Sequence, residues 1–494
     1  MRLNKLLANC NTHFKIENGK NIKVLGITSH SKEIKKNYIF SVINGQKYNG
    51  ADFINSLKDI NNIVLILDEN MVLSDYIPNK IQEKFVRIYT EDVVLISGEI
   101  ASFLYKNNIS NINAVTGTNG KTSIAEYTRQ IWNYNKTKAA SIGTLGTFFN
   151  KKLLFPAKLT TPDSITLHRT LNKLSKKGCK NIIIEASSIG INQNRLFPIK
   201  FNKIAFTNLT RDHLDYHKNM QQYMIAKAKI FIDNSHKKTV AILNSDDNKY
   251  PYFKKLCVEQ KLRVLDYGKK ANFLKIISIS KKNDLNEIEI NLKNKVNKVI
   301  IANNSLFEVY NILCSLLIVF GEKITIKDFN CIEKLKSPKG RLEKVYDKDF
   351  QIFIDYAHTP DAIKNILNSL NNLKKNRIIS IIGCGGDRDK GKRSLLTKQA
   401  LLLSDIIILA DDNPRNEDPK KIRKDMLFNL NKKQKDKIFN IGDRKRAIKY
   451  GISILKKGDI LVITGKGHED YQLIRSEKKY FSDHVTVNNI LSKI

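Results

Sequence analysis

A glycine-rich loop followed by a lysine and two hydroxyl residues is the clearest chemical feature of the sequence. Its residues are Gly117, Thr118, Asn119, Gly120, Lys121, Thr122 and Ser123. The β-branched run at 112–116 predicts a buried strand before the loop, and apolar residues at helical spacing in 124–132 predict a helix after it. In this context backbone N–H groups approach a triphosphate, the lysine adds charge near its β- and γ-phosphates, and the threonine hydroxyl can bind Mg²⁺. The loop therefore predicts a nucleoside triphosphate site. The spacing between its glycines is shorter than in the usual GxxxxGK(S/T) pattern. The alternative is a glycine turn that binds no ligand.

An acidic residue and a histidine follow two further predicted strands. Glu185 ends the predicted strand 181–185, and His213 lies after the predicted strand 204–207. In open parallel α/β sheets ligands bind outside the carboxyl ends of the strands. Glutamate and histidine beside a phosphate loop predict a second Mg²⁺ site, although a lone histidine is more often structural.

Lys227 shares a predicted helical face with apolar side chains. Tyr223, Met224, Ile230 and Phe231 recur at helical spacing around it. Burial lowers the pKa of a lysine, and a neutral amine can add carbon dioxide to form an anionic carbamate. The spacing alone favours a surface lysine that extends its ammonium group to solvent.

Length and composition favour a large globular protein with several cores. The chain has 494 residues, which predicts about three domains. Apolar residues make up 41% and charged residues 27%, so the chain is not expected to be disordered. Lys and Arg (85) exceed Asp and Glu (48) by 37, an excess that suggests a nucleic-acid, membrane or anionic-substrate partner. The lysines are spread along the chain without an arginine-rich stripe, so we interpret the excess as background and expect no nucleic-acid partner.

The sequence predicts a cytoplasmic location. No apolar stretch approaches the roughly 20 residues needed to cross a bilayer, so no membrane insertion is expected. The first 15 residues are basic but lack the apolar core of a secretion signal. Six cysteines are scattered without a closely spaced pair, which suits a reducing compartment.

Predicted strands divide the chain into three α/β regions, placed at 1–90, 91–335 and 336–494. The strands expected in the first region are 22–27, 38–43 and 63–67. Those expected in the second are 112–116, 181–185, 204–207 and 240–243. Those expected in the third, which begins near the turn-forming residues 337–340, are 350–354, 378–382, 405–410 and 460–464.

Several motifs in a fixed order resemble the Mur ligases, ATP-dependent amide-forming enzymes of peptidoglycan precursor synthesis. Those of the middle region are GTNGKTS, EASS, TNLTRDHLDYH and YMIAK. Those of the last region are GRLE, DYAHTPD, GCGGDRDKGKR, DDNPRNEDP and TGKGHEDYQ. The resemblance covers the whole chain, and within the family the DNPR string is typical of members that add meso-diaminopimelate and not lysine.

The resemblance implies an α/β fold of three domains. A small N-terminal α/β domain (1–90) is expected to bind the UDP substrate, and a P-loop-type ATPase domain with a mainly parallel sheet (91–335) to bind ATP. A C-terminal Rossmann-like domain (336–494) is expected to bind the incoming amino acid. Because motifs that must meet lie on separate domains, we expect the third domain to swing and bring Arg341 and His358 onto ATP. The protein is expected to be a monomer.

The implied reaction joins meso-diaminopimelate to UDP-N-acetylmuramoyl-L-alanyl-D-glutamate. The γ-phosphate of MgATP, bound with two Mg²⁺ ions, passes to the D-glutamyl γ-carboxylate, and an amine of diaminopimelate attacks the resulting acyl phosphate. No covalent enzyme intermediate is needed. The alternatives are addition of L-lysine, a polyglutamylating relative, or, more remotely, a basic P-loop ATPase that binds nucleic acid.

The resemblance also assigns site residues. Lys227 is implied to be a carbamylated lysine (N6-carboxylysine) that binds metal with Thr122, Glu185 and His213, while Lys121 binds the triphosphate. Further ATP contacts are implied for Asn311, Arg341, Asp355 and His358. UDP-substrate contacts are implied for Ser31, Gln46, Lys47, Tyr48, Thr160, Thr161, Ser187, Gln193 and Arg195. Diaminopimelate contacts are implied for Arg388, Asp412, Asn413, Pro414, Arg415, Gly465 and Glu469.

The residue types implied for the diaminopimelate pocket suit that ligand. Diaminopimelate carries two ammonium and two carboxylate groups, which Glu469 and Arg415 respectively match. Lysine lacks the distal carboxylate and would leave Arg415 unpaired, which is how a site rejects an analogue. Alone, DNPR would favour a strand followed by an Asn-Pro turn.

Four positions depart from the family pattern. Glu308 stands where an asparagine near the adenine is expected, which questions that contact, and Ile189 stands where a histidine is common. Lys32 and Asn49 replace residues that are often Arg and Asp.

Overall fold

The computed structural model of the protein describes residues 1–45, 49–282, 285–301, 305–475 and 477–493. In this described part of the chain the strands form three large sheets and one separate hairpin. Each large sheet has its own hydrophobic cores. The predicted α/β class is confirmed.

The first sheet has five strands in the order β1-β5-β4-β3-β2, parallel except for β1. The elements are α1 (Leu3–Leu7), β1 (Lys15–Glu17), β2 (Gly26–Thr28), β3 (Tyr38–Ser41), β4 (Val64–Asp68), α2 (Asn79–Gln82), β5 (Val86–Thr90) and α3 (Val93–Leu104). Short 3₁₀ helices span Ser31–Glu33, Gly50–Leu57 and Leu73–Asp75.

The strand predicted at 22–27 begins later than expected. Residues 22–24 pair with the start of the chain: the Leu3 amide donates to the Ile22 carbonyl (3.0 Å) and the Val24 amide to the Met1 carbonyl (2.7 Å). Leu25 is 55% exposed. The β-branched run therefore forms a small N-terminal pairing before it enters the sheet as β2.

Helix α3 belongs to the core of the first sheet. It begins at Asp92, whose carboxylate accepts hydrogen bonds from the amides of Val94 and Leu95 (both 2.9 Å), as expected of an N-cap. Ile96 and Ile100 pack with the buried residues of this sheet. The boundaries predicted near residues 90 and 335 remain predictions.

The second sheet has eleven strands in the order β16-β15-β14-β13-β12-β11-β6-β10-β7-β8-β9. Its strands are β6 (Asn111–Thr116), β7 (Ala139–Gly143), β8 (Gly146–Phe149), β9 (Lys152–Phe155), β10 (Asn181–Glu185), β11 (Lys203–Phe206), β12 (Val240–Asn244), β13 (Arg263–Gly268), β14 (Leu274–Lys282), β15 (Leu285–Leu292) and β16 (Lys295–Ile301). The pairings from β7 to β14 through the centre are parallel, and antiparallel strands extend both edges.

Helices cover both faces of this sheet. They are α4 (Lys121–Tyr134), α5 (Ser164–Lys176), α6 (Ser188–Asn192), α7 (Leu214–His217), α8 (Met220–Asp233), α9 (Tyr250–Glu259) and α10 (Leu306–Phe320), with 3₁₀ helices at Gly321–Lys323 and Ile326–Lys334. The apolar residues predicted to face inward on α4, among them Ile124 and Tyr127, are buried. The mainly parallel centre predicted for this region is confirmed.

The third sheet has six strands in the order β17-β18-β22-β19-β20-β21, parallel except for β17. Its elements are β17 (Glu343–Asp347), β18 (Gln351–Ile354), α11 (Pro360–Asn371), β19 (Ile378–Ile382), α12 (Lys392–Leu403), β20 (Ile406–Ala410), α13 (Pro419–Met426), α14 (Lys432–Lys435), β21 (Ile438–Gly442), α15 (Arg444–Ser453) and β22 (Ile460–Ile463). A hairpin of β23 (Tyr471–Ile474) and β24 (Glu477–Tyr480) and helix α16 (Asp483–Leu491) follow. A Rossmann-like parallel sheet therefore forms the last region.

No helix within the described ranges is both long and apolar enough to cross a membrane.

Candidate functional site

A large cavity of about 2210 Å³ joins the three regions. Its wall includes Glu33 from the first, Lys121 and Glu185 from the second, and His358 and Arg415 from the third. The carboxyl ends of β6, β10 and β11 open into it, which is the edge where parallel α/β sheets bind ligands. The sequence-predicted site residues therefore come from distant parts of the chain to one volume.

The glycine loop between β6 and α4 is held by the end of β11. The Thr207 hydroxyl donates to the Asn119 carbonyl (2.7 Å), and the Asn119 amide donates to the side chain of Asn208 (2.9 Å). A Cβ on Gly117 would lie 1.8 Å from Thr207 Oγ1. Gly120 has φ +90°, which residues with a Cβ avoid. These contacts explain why the loop needs glycine at both positions.

Two lysines converge on the same carbonyl of the loop. Lys121 Nζ donates to the carbonyls of Gly117 (2.8 Å) and Thr118 (2.9 Å), and Lys227 Nζ donates to the Gly117 carbonyl (2.8 Å). Burial lowers the pKa of both amines. Lys121 lowers the pKa of Lys227 further, whereas the carboxylates of Glu185 and then Asp212 oppose the effect of burial on the pKa of Lys121. The base of the loop therefore holds two buried amines whose charged forms are disfavoured.

Lys227 is not the surface lysine that spacing alone favours. It is 1% exposed, and its Nζ lies 4.4 Å from the centre of the Tyr223 ring. Helix α8 buries Tyr223, Ile230 and Phe231 in the core of the second sheet, so the whole face that contains Lys227 turns inward. Burial first, and then Lys121, hold the pKa of Lys227 well below its ordinary range. The neutral amine that carbamate formation requires is thus favoured.

Glu185 and Thr122 form an oxygen-rich pair at the start of α4. Thr122 Oγ1 donates to Glu185 Oε2 (2.9 Å), and the Thr144 amide donates to Glu185 Oε1 (2.9 Å). Burial raises the pKa of Glu185, and Lys121 opposes that effect. Arg341 Nη2, from the third region, donates to Thr122 Oγ1 (3.0 Å).

Asp212 is a site residue that the motifs do not single out. His213 Nε2 and His358 Nε2 both lie 3.4 Å from Asp212 Oδ2, and Lys392 Nζ lies 3.0 Å from Oδ1. Burial alone would raise the pKa of Asp212, but Lys392 and then His213 hold it well below its usual range. Burial lowers the pKa of His213 to about 3. His358 and Lys392 come from the third region, so Asp212 joins two regions at the cavity.

Other contacts between the second and third regions surround the loop. Arg211 donates twice to Asp389 (2.7 and 2.9 Å), and Asn119 Nδ2 donates to Asp361 Oδ2 (3.1 Å). Together with Lys392 and Arg341, these contacts hold the third region against the glycine loop.

Asp355 organises the loops that present Arg341 and His358. Its carboxylate accepts hydrogen bonds from the amides of Leu342 and Ala357 (both 2.5 Å). His358 Nδ1 contacts the Tyr356 carbonyl (3.0 Å), which leaves Nε2 facing Asp212. The predicted group of Arg341, Asp355 and His358 therefore lies together beside the loop.

The predicted contacts for the muramoyl-peptide part lie together on the second region. Thr161 Oγ1 is 2.9 Å from Ser187 Oγ, and Arg195 donates to the Thr161 carbonyl (3.0 Å) and to Gln193 Oε1 (2.5 Å). Thr160 Oγ1 is 3.1 Å from Thr144 Oγ1. All of these predicted residues except Thr161 line the cavity. Ile189, which differs from the family pattern, also lines it.

The first region contributes a narrower part of the wall. Ser29, His30 and Glu33 line the cavity, whereas Ser31, the predicted residue, does not. The remaining predicted residues of the UDP site, Gln46, Lys47 and Tyr48, lie outside the described residues.

The predicted amino-acid pocket divides into two sets. Arg388 and Arg415 line the cavity, whereas Asp412, Asn413, Pro414, Gly465 and Glu469 do not. Arg415 Nη1 donates to the Gly386 carbonyl (2.7 Å), and within the described ranges Arg415 forms no ion pair. Burial and then Arg388 lower the pKa of Arg415.

Lys466, which the motif analysis did not single out, sits at the centre of the second set. It is fully buried, and its Nζ lies 3.1 Å from Asn413 Oδ1, 3.2 Å from Glu469 Oε2 and 3.5 Å from Asp412 Oδ1. Asn413 Nδ2 also donates to Glu469 Oε2 (3.0 Å). In this structure the carboxylate of Glu469 is therefore engaged by Lys466.

Glu308, which differs from the family pattern, lies behind the cavity. Its carboxylate accepts hydrogen bonds from the Tyr127 hydroxyl (2.9 Å) and the Ser337 hydroxyl (3.3 Å). Asn311, one turn along α10, lines the cavity and faces Gly120. Glu308 thus links α10 to α4 and to the segment that leads into the third region, while Asn311 keeps the predicted position at the loop.

Because burial raises the pKa of Glu308 from 4.5 to about 7, the cost of ionising it is expected to destabilise the fold at neutral and higher pH. The folded protein retains a proton that the unfolded chain releases between these values, so stability falls as pH rises from about 4.5 to about 7. In Glu308→Gln this loss is absent, and the stability of the variant relative to the wild type should rise by about 2 to 3 kcal/mol between pH 5 and pH 8. Urea unfolding at both pH values measures this. A relative stability that does not change with pH would contradict it; the exposed Glu333→Gln is the matched control.

Comparisons with known proteins agree over nearly the whole chain. One family profile, described as the Mur ligase middle domain, matches residues 115–319, and another, described as Mur ligase, glutamate ligase domain, matches residues 340–467. The chain is similar to a UDP-N-acetylmuramoyl-L-alanyl-D-glutamate--2,6-diaminopimelate ligase of Aquifex aeolicus, with 36% identity over 95% of this chain and 94% of that protein. It is 39% identical to the ligase of the same name from Rickettsia bellii, over 93% of this chain and 94% of that protein. A solved structure with this ligase name is 28% identical, covers 95% of both chains and has a TM-score of 0.64.

Proposed function

This chain belongs to the Mur ligase family, and from that premise we propose that it joins meso-diaminopimelate to the D-glutamyl γ-carboxylate of UDP-N-acetylmuramoyl-L-alanyl-D-glutamate. ATP is the co-substrate, and ADP and phosphate are released. The reaction lengthens the peptide of a peptidoglycan precursor. The observation that carries the proposal is the large cavity, which has the lysine-bearing glycine loop on one wall and, on another, an arginine that pairs with no carboxylate among the described residues.

In the first step, the γ-phosphoryl group moves from ATP to the glutamyl carboxylate. The O–P bond to ADP breaks while an O–P bond to the carboxylate forms, which gives an acyl phosphate. Such transfers depend on positioning and electrostatics more than on covalent help from the protein. Loop amides and Lys121 bind the phosphates, Arg341 neutralises charge from the side of the third region, and His358 lies beside the loop as a polar contact.

The donor set suits Mg²⁺. Thr122 and Glu185 offer hard oxygen atoms 2.9 Å apart and would hold one ion. In the described part of the chain no three side chains of His, Cys, Asp or Glu form a metal site, so a second ion requires another anionic donor beside His213 and Glu185. When bound, Mg²⁺ neutralises phosphate charge and orients the triphosphate.

Carboxylated Lys227 would supply that missing donor. The neutral Nζ attacks carbon dioxide, an N–C bond forms, and loss of a proton leaves an anionic carbamate. The burial of Lys227 and its lowered pKa support this modification, as does its position next to the loop carbonyl of Gly117.

In the second step, an amine of diaminopimelate attacks the carbonyl carbon of the acyl phosphate. The C–N bond forms, the C–O bond to phosphate breaks, and the nitrogen loses a proton as the amide is completed. Arg415, which has no ion pair among the described residues, would bind the distal carboxylate of the amino acid, and Arg388 adds positive charge at the same wall. L-lysine lacks that carboxylate, so the pocket would reject it.

We also propose a cytoplasmic monomer with domains divided near residues 90 and 335. ATP and a nucleotide-linked substrate are cytoplasmic metabolites, and the third domain carries both its ATP-facing residues and the amino-acid pocket. Closure of this domain would bring Arg341 and His358 to the nucleotide. Scattering profiles that superimpose with and without ATP analogue and substrate would argue against closure.

Phosphate release under single omissions tests the function. With ATP, Mg²⁺ and UDP-N-acetylmuramoyl-L-alanyl-D-glutamate present, release should require meso-diaminopimelate and should be accompanied by the tripeptide product. Parallel reactions contain L-lysine, L-glutamate or nucleic acid in place of diaminopimelate. Release that depends on L-lysine would keep the mechanism and overturn the selectivity, and ATP hydrolysis stimulated by nucleic acid would overturn the function itself.

A further inference from the structure

Arg475, at the turn between β23 and β24, shares the arginine-bearing wall of the cavity with Arg415. The Arg415 amide donates to the Leu473 carbonyl (2.9 Å), and the Arg475 amide donates to the Arg415 carbonyl (2.6 Å). Both arginines also line a smaller cavity of about 520 Å³. The hairpin and the loop 411–415 therefore form one backbone unit that carries two guanidinium groups.

The backbone at both arginines has an unusual conformation. Arg415 has φ +53° and Arg475 has φ +54°, in the left-handed region that residues with a Cβ rarely occupy. Such conformations persist where the surroundings impose them, and they are frequent at ligand clamps. Here the hydrogen bonds between the hairpin and the loop impose them.

The charge around this wall is poorly balanced. Arg388 lines the same cavity, and its nearest carboxylate, that of Asp215, is 3.5 Å away. Among the described residues, the side chain of Arg475 forms no hydrogen bond or ion pair, and Arg415 forms no ion pair. Two carboxylates, those of Asp215 and Asp387, line the cavity here as well, and that of Asp387 accepts a hydrogen bond from Asn416 (2.8 Å). Three guanidinium groups with one long ion pair between them leave a net positive charge, which favours an anionic ligand.

We propose that Arg475 is a specificity-determining residue which, with Arg415, binds the distal carboxylate of the incoming diamino acid. The proposal rests on the proposed ligase function. A carboxylate of the muramoyl dipeptide would offer the same chemistry, but the residues that match that substrate, such as Thr160 and Arg195, belong to the second region. The diamino acid is favoured because Arg475 is tied through its backbone to the loop that holds Arg415.

Steady-state kinetics of the full-length Arg475→Ala variant tests this role. We expect the KM for meso-diaminopimelate to rise about 10-fold, a moderate effect because Arg475 is exposed, with kcat and the KM values for ATP and the dipeptide within about 2-fold of the wild type. The preference for meso-diaminopimelate over L-lysine should fall by the same factor, since lysine has no distal carboxylate. Arg475→Lys, which keeps the charge, should recover part of the affinity.

Lys479→Ala is the matched control, because it removes one positive charge from the same hairpin at an exposed residue that does not line the cavity. It should change no parameter by more than about 2-fold. An unchanged KM for meso-diaminopimelate in Arg475→Ala, a rise in the KM for the dipeptide instead, or an equal loss with lysine and diaminopimelate would overturn the inference. A wild-type protein that does not use meso-diaminopimelate would overturn the proposed function instead, so the two failures are distinct.

Discussion

Replacing Lys227 by alanine is expected to reduce kcat by at least about 100-fold, because the carbamate that completes the metal site can no longer form. Lys227 is buried beside the glycine loop, and its amine has a strongly lowered pKa. Carboxylation needs the neutral amine, so wild-type activity should fall as pH decreases through the folded-state pKa of Lys227. Removal of dissolved carbon dioxide should lower wild-type activity, and added bicarbonate should restore it.

Two further measurements separate this role from a packing defect. Formate or acetate should restore part of the activity of Lys227→Ala by returning a carboxylate to the site, whereas chloride should not. A carbamate signal from ¹³C-bicarbonate should be present in the wild type and absent in the variant. Lys229→Ala, on the same helix but only partly buried, should retain activity within about 2-fold. Full activity of Lys227→Ala would contradict the metal assignment.

Replacing Asp212 by asparagine is expected to weaken the docking of the third domain by about 3 to 5 kcal/mol, because it leaves Lys392 buried without its anionic partner. His358 would lose the same partner. We therefore expect a larger radius of gyration in X-ray scattering and a decrease in kcat of about 100-fold or more. The pKa of Asp212 is lowered in the fold, so this stabilisation is present above the ordinary pKa of aspartate and is lost as pH falls through the folded value.

A double-mutant cycle with Lys392→Met checks the pairing. Loss of both partners should cost less than the sum of the single losses, since no charge then remains buried alone. Asp389→Asn is the matched control, because Asp389 also joins the two domains but its partner Arg211 is 41% exposed; we expect a cost of about 1 kcal/mol or less. Additive losses from Asp212→Asn and Lys392→Met would contradict the proposed coupling.

The central strands and the glycine loop could be predicted from local sequence. The strand expected at 181–185 is β10 and the one expected at 378–382 is β19, each with the predicted bounds. Both are short β-branched runs buried on two faces, where pattern and burial coincide. The loop follows β6 and precedes α4 as expected, because its glycines meet a local steric requirement.

The antiparallel edges of the second sheet were missed, although one of them carries a visible signal. Strand β15 has a strictly alternating burial pattern, and from Glu287 to Leu292 its apolar and polar residues alternate in the same way. The prediction for residues 22–24 was wrong for a different reason. These residues pair with the start of the chain, and a local sequence pattern does not show which segment a strand pairs with.

Pairings between distant residues could not be predicted. Asp212 and Lys392 are 180 positions apart and meet only because the second and third regions pack against each other. The burial of Lys227 could not be predicted, because an amphipathic pattern does not show whether a lysine within an apolar helical face is buried or extends to solvent. Arg475 lies outside every motif. Its position at the cavity depends on the hairpin, whose backbone pairs with the DNPR loop.

Competition between the two amino acids tests the central claim most directly. The purified protein would receive ATP, Mg²⁺ and UDP-N-acetylmuramoyl-L-alanyl-D-glutamate with equal concentrations of meso-diaminopimelate and L-lysine, and the products would be identified by mass spectrometry. The cavity and its arginine wall predict the diaminopimelate tripeptide in about 100-fold or greater excess. A majority of the lysine tripeptide, or hydrolysis of ATP without either tripeptide, would contradict the account.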